Sequence, residues 1–184
     1  MPQVHQSFYT DMKYGNRYWT FLTEELPHIA RSFFPLSAKR EDNFVAGLSM
    51  GGYGALKWAL RHPENFAAAA SLSGAVDMAN WIKKDGHLDN VFQLIYGDKE
   101  IKNTENDLLW LLEKGDKMPE QQKPAIYQCC GTDDFLYESN VTFKEKCEQT
   151  SYELTTDFGP GAHDWQYWDD KIQDVLKWLP LEVK

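Results

Sequence analysis

Cysteine is scarce. The chain of 184 residues has three, at Cys129, Cys130 and Cys147. An odd number, with two adjacent in an apolar run, argues against a disulfide framework, and no metal-ligand spacing surrounds them. Reduced, buried thiols are expected. Long apolar runs are missing too, and none approaches the ~20 residues that span a bilayer. Basic charge is in deficit: 19 Lys and Arg stand against 28 Asp and Glu, a formal charge of −9. With acid and base mixed along the chain, neither nucleic acid nor an anionic membrane is an expected partner. The opening Met1-Pro2-Gln3-Val4-His5 lacks a basic segment and an apolar segment, so no signal peptide is visible and a cytoplasmic location is expected. Internal repeats, low-complexity tracts and a second domain are likewise not apparent.

What remains is a globular chain with a 42% hydrophobic fraction, enough for one domain, 1–184, with a core. Its most informative stretch is Phe44 to Gly54. An apolar run, Phe44–Leu48, ends on Ser49, and a Gly-rich turn opens a helical pattern to about Arg61. Gly47-Leu48-Ser49-Met50-Gly51 fits G-x-S-x-G, in which a serine is lifted off a sheet by a sharp strand-to-helix turn. Side chains two residues before and after that serine are expected to collide, hence Gly47 and Gly51. The following helix would point its N-terminus at the serine, and the Met50 N–H could donate to an oxyanion.

Along the rest of the chain, Met1 to Asp11 reads as a weak strand and a loop. Asn16 to Phe34 reads as a helix with one apolar stripe, Tyr18, Phe21, Leu22, Leu26, Ile29, Ala30 and Phe33, kinked at Pro27. Phe44–Leu48, unbroken apolar, suggests a parallel strand covered on both faces. Phe66 to Leu72 and Pro124 to Cys130 suggest further buried strands, and Tyr152 to Phe158 the last. Residues 76–123 are too long for a connection and too apolar for a linker. They read as a helical insertion over the active-site edge, with a Lys84-Asp85-Gly86 turn, helical Val91–Tyr96, and a helix through Glu113 capped by Thr104 or Asn106. Ser139 to Gln149 and Asp164 to Leu179 read as helices.

Strands alternating with helices predict an α/β fold with a parallel sheet, whose sites lie at the C-terminal strand ends. Ser49, Asp133 or Asp134, and His163 fall at such ends, in the order Ser, Asp, His. A serine hydroxyl needs an imidazole to take its proton, and the imidazole needs a carboxylate to hold its tautomer. Of the histidines, His5, His28 and His87 read as surface residues and His62 as a helix end. His163 alone follows a final strand through a Gly-Pro-Gly loop. Asp134, at the end of a G-x-x-D turn, is favoured over Asp133; Asp157 and Asp164 are lesser alternatives. Trp81, Trp110 and Trp165 are candidate substrate contacts, though each reads equally as a core aromatic. No metal site and no cofactor are implied.

Gly-Leu-Ser-Met-Gly-Gly-Tyr-Gly at 47–54, Cys-Gly-Thr-Asp-Asp-Phe-Leu at 130–136 and Gly-Pro-Gly-Ala-His-Asp-Trp at 159–165 carry a family resemblance. Together with Tyr9-Thr10-Asp11, Tyr14-Gly15 and Glu24-Glu25-Leu26-Pro27, they resemble the esterase D-like "putative esterase" family of α/β-hydrolases, the bacterial tributyrin esterases above all. The resemblance implies hydrolysis of short-chain acyl esters by Ser49, Asp134 and His163, with Met50 as one oxyanion donor. S-formylglutathione hydrolases and feruloyl or acetyl-sugar esterases are related. The family has a further N-terminal segment, with a His-Gly loop supplying a second oxyanion N–H, before the region that matches Met1. The resemblance therefore implies an N-terminally truncated α/β-hydrolase. A strand beside Phe44–Leu48 is then absent, and the free edge is expected to be covered by that segment or by another copy, as in a homo-oligomer.

The leading expectation is a serine carboxylesterase with a small ester as partner. The alternatives are a weakly active or non-catalytic hydrolase scaffold that needs another chain segment, an acyltransferase, and a thioesterase like S-formylglutathione hydrolase.

Overall fold

The computed structural model describes residues 2–84 and 89–181. The expected Lys84-Asp85-Gly86 turn and His87 fall largely or wholly outside them. Four parallel strands, β1 Phe44–Leu48, β2 Ala68–Leu72, β3 Ala125–Gly131 and β4 Leu154–Gly159, lie side by side in chain order. Phe44 pairs with Ala68, Ala68 with Ala125, and Ile126 with Leu154. Parallel pairing needs a crossover between neighbours, and helices supply it. They are α3 Met50–Arg61 after β1, α4 Met78–Lys84, α5 Asp89–Tyr96 and α6 Leu108–Gly115 after β2, and α7 Tyr137–Cys147 after β3. α8 Trp165–Trp178 closes the chain, and α1 Tyr18–Thr20 and α2 Leu26–Phe33 precede β1.

Alternation along the strands sorts two cores. Ala69 and Ile126 join Tyr53 and Leu56 of α3, Phe143 of α7 and the buried side chains of α4 to α6. Ala70, Leu72, Tyr127 and Cys129 face Tyr167, Trp168 and Val175 of α8. Alanines fill β2 because helices press on it from both sides; all five of its residues are buried. The three thiols are free and fully buried. Burial pushes Cys129 and Cys130 up to about 12 and Cys147 up to about 11, far from a thiolate nucleophile. Among the described residues, no helix is long and apolar enough to cross a membrane.

Several local expectations need correction. Residues 2–11 form no strand. They run as successive turns, with Ser7 N donating to Val4 O, Thr10 N to Ser7 O, and positive φ at His5, Phe8 and Tyr9. Pro27 does not sit at a simple kink. The turns before it widen into a π-helix, Phe21–Glu25, closed by the Leu26 N–H on Phe21 O. The wider turn relieves the clash between a proline ring and the carbonyl four residues back, and removes the need for the missing N–H. α6 is capped by Asp107, not Thr104 or Asn106: its Oδ1 accepts from Leu109 N and Trp110 N, and its Oδ2 from Asn103 N.

β1 and the helix before it are also more open than their apolar sequences suggest. β1 pairs only with β2 among the described residues and is half-buried, with Ala46 exposed. Of the apolar stripe, Leu22 is buried, but Ile29 and Phe33 are exposed, as are the neighbouring Phe34 and Leu36.

Candidate active site

Ser49 sits between β1 and α3 with φ 52° and ψ −120°, a conformation that non-glycine residues seldom adopt. Neighbours hold it there. Its N–H donates to Leu72 O at 2.9 Å, and its carbonyl accepts from Gly52 N at 3.0 Å and Ala75 N at 3.2 Å. The end of β2 therefore fixes the turn on both sides of the serine. A Cβ on Gly47 would lie 2.2 Å from the Gly51 carbonyl oxygen, so this close approach requires glycine at 47. Gly51 differs from expectation, because its Cβ would meet only the Tyr9 hydroxyl, at 3.3 Å. Gly47→Ala is therefore expected to cost about 3 kcal/mol or more, roughly 10 °C in thermal midpoint, and Gly51→Ala far less. Differential scanning calorimetry of the two variants checks the contrast.

The loops after β3 and β4 bring the other groups in. His163 Nε2 lies 2.9 Å from Ser49 Oγ, and His163 Nδ1 lies 2.8 Å from Asp134 Oδ2. A carboxylate accepts and cannot donate, so Nδ1–H donates to Asp134 and Nε2 is left to accept from the serine hydroxyl. Asp134 is 5% exposed, and its second oxygen accepts from Leu136 N at 2.8 Å. Asp133 is exposed and lends its N–H to Gly161 O at 3.0 Å, which ties the two loops together. The same turn, therefore, puts one aspartate on the imidazole and the other in solvent. Asp157 instead accepts from Tyr127 and Lys171, and Asp164 caps α8.

Met50 opens α3, where a backbone N–H has no partner within its own helix. The tryptophans are dispersed. Trp165 is 68% exposed and meets Trp168 edge-on, with ring centroids 5.4 Å apart. Trp81 packs against Phe8 and Phe92, and Trp110 lies under Lys114 in a groove with Asp77 and Asn80. Neither has a described ring contact with His163.

Sequence reasoning passed over several supports. Trp168 stands edge-on to His163 at 4.8 Å, and Phe135 lies 4.5 Å from it on a tilt. These rings restrict the imidazole's rotation. Asn140, fully buried in α7, donates to Gly74 O and Leu136 O at 2.9 Å each and receives the Gln128 amide. It links the loop after β2 to the Asp134 loop. A polar residue inside α7, four after Leu136, was the available signal; its partners were not legible.

A parallel sheet flanked by helices, with a strained serine at a strand-to-helix turn, defines an α/β-hydrolase. Within that class, the chain belongs to the Esterase family, described as "Putative esterase", whose model matches residues 2–179. It is 32% identical over 187 residues to an acetyl esterase of Caldicellulosiruptor saccharolyticus, spanning 97% of this chain and 70% of that protein. Among solved structures it resembles FphF, a fluorophosphonate-binding serine hydrolase of Staphylococcus aureus, with substrate bound. That match has TM-score 0.87 and 37% identity over 97% of this chain and 69% of that one. S-formylglutathione hydrolase from Staphylococcus aureus, as the apoenzyme, matches at TM-score 0.82 and 36% identity over 97% of this chain and 70% of that one.

Proposed function

We propose that this chain is a serine carboxylesterase acting on short-chain acyl esters, with Ser49 as nucleophile, His163 as base and acid, and Asp134 as the orienting carboxylate. The observation that carries the reading is the continuous pair of hydrogen bonds, 2.9 and 2.8 Å, from Ser49 through His163 to Asp134. His163 Nε2 takes the hydroxyl proton as Ser49 Oγ attacks the ester carbonyl. Charge builds on the carbonyl oxygen, and the Met50 N–H at the head of α3 stabilises it. The C–O bond to the alcohol then breaks, and His163 returns the proton to the leaving oxygen. Water, deprotonated by the same nitrogen, attacks the acyl-serine and releases the acid. Asp134 accepts the Nδ1–H and keeps the ring oriented.

The test is intact-mass and peptide mass spectrometry of the protein mixed with p-nitrophenyl acetate or butyrate. Release of p-nitrophenol with a transient acyl adduct on Ser49 is the expected result. Hydrolysis without an adduct on Ser49, or an adduct elsewhere, overturns the assignment.

A second reading is a hydrolase scaffold whose turnover needs a further chain segment or a second copy. Two observations favour it: among the described residues the outer edge of β1 is unpaired, and Phe33 and Phe34 are exposed. Weak turnover that rises with protein concentration, alongside a growing sedimentation coefficient, is its signature.

A further inference from the structure

α3 carries a lysine on its buried face. Lys57 is 0% exposed, and its Nζ donates to Tyr9 O and Thr10 Oγ1, each at 2.9 Å. The Trp19 and Tyr53 rings lie 4.7 and 5.5 Å from it. Among the described residues, no carboxylate forms an ion pair with it; Asp11 pairs with Arg17, and Glu105 with Arg61. Burial, then the charge of Arg61, push its pKa well below the usual lysine value. An apolar side chain of similar length would fill this space without that desolvation cost. What the amine adds is its two hydrogen bonds.

Both bonds go to one strap of chain. Phe8 and Tyr9 hold φ at 46° and 51°, so the Tyr9 carbonyl turns inward to the helix. The Tyr9 ring lies along the start of α3. A Cβ on Gly54 would be 2.5 Å from it, and one on Gly51 would be 3.3 Å from its hydroxyl. The strap thereby reaches the helix end that carries Ser49 and Met50. With Tyr9, Met12, Met50, Val91 and Leu94 it walls a groove of about 730 Å³. The esterase chemistry assigns a side to this groove. The leaving alcohol must lie within hydrogen-bond reach of His163, which arrives from the β4 side of the sheet. On that reading an acyl chain directed away from the alcohol would run past Met50, which lines this groove.

We propose that Lys57 is a positioning residue for the acyl chain: it clamps the Tyr9–Thr10 strap so that Tyr9 walls the acyl side of the site. The proposal rests on the esterase reading. Its test compares Lys57→Met and Thr10→Val with the wild type, by kcat and KM on p-nitrophenyl acetate, butyrate and hexanoate. Hydrogen exchange of the amides from Gln6 to Met12 is followed in parallel. Lys57→Met is expected to raise the hexanoate KM by about tenfold and the acetate KM by only about twofold, since acetate barely enters the groove. The strap amides should exchange faster, and Thr10→Val should shift both readouts the same way by less. Equal losses on acetate and hexanoate, or unchanged strap exchange in folded Lys57→Met, overturn the proposal. If Lys57→Met does not fold, Thr10→Val decides, and a shift independent of acyl length rejects the clamp. If the wild type hydrolyses none of these esters, the esterase reading fails and the acyl role fails with it. Strap exchange then still reports separately whether Lys57 holds the loop.

Discussion

Ser49→Ala is expected to lower kcat on p-nitrophenyl butyrate by on the order of 10⁶-fold, with the thermal midpoint little changed. The whole loss comes from one oxygen. Ser49 Oγ is the atom that His163 Nε2 faces at 2.9 Å, and no other hydroxyl is hydrogen-bonded to that ring among the described residues. Thiols offer no substitute, because the cysteines are buried and held protonated by burial. The backbone turn should survive. It is held by Leu72 O, Gly52 N and Ala75 N, and alanine bears the same positive φ at about the same cost as serine. Steady-state kinetics with calorimetry on both proteins make the measurement. Equal rates in the two would reject Ser49 as the nucleophile and leave the scaffold reading.

Asp134→Asn should cost about 10⁴-fold in kcat, whereas Asp133→Asn should change it by no more than about twofold. At 134 the carboxylate is buried and divides its oxygens between Leu136 N and His163 Nδ1. An asparagine would keep its oxygen on Leu136 N and turn its NH₂ towards His163. Nδ1 would then have to accept, the proton would move to Nε2, and that nitrogen could no longer take the proton of Ser49. The geometry would look intact while the tautomer was wrong. Asp133 projects into solvent, and its contribution to the site is its backbone N–H on Gly161 O, which asparagine retains. Kinetics at neutral pH separate the two, and a comparable loss from both would overturn the assignment of the orienting carboxylate to one side chain.

Much of the framework is legible because it is local. Phe44–Leu48 and Met50–Arg61 have the same limits in the sequence pattern and in the structure. Apolar continuity, a Gly-rich turn and the His62-Pro63 stop act within a few residues. The strands after them are displaced by only a residue or two. Legibility failed where distant contacts override local preference. Met1 to Asp11 reads as a weak strand and a loop, yet Lys57 and the turns at Ser7 and Thr10 wind that segment into a strap. Thr104 and Asn106 are reasonable caps by type, but Asp107 has a side chain that meets two free amides of α6 and Asn103 N together.

The sequence by itself determined the strand-turn-helix around Ser49, the alternation that makes the sheet parallel, and the order in which Ser49, the Asp133-Asp134 pair and His163 arrive at its edge. These depend on periodicity and on residues with restricted backbones, which act over short range. Only the tertiary structure decided which aspartate faces the histidine, which rings lie against that histidine, and which groups the Lys57 amine bonds. Those depend on which side of a turn is buried and on groups far apart in the chain. Asp133 and Asp134 are chemically identical, and burial against the β4 loop is what gives them different partners.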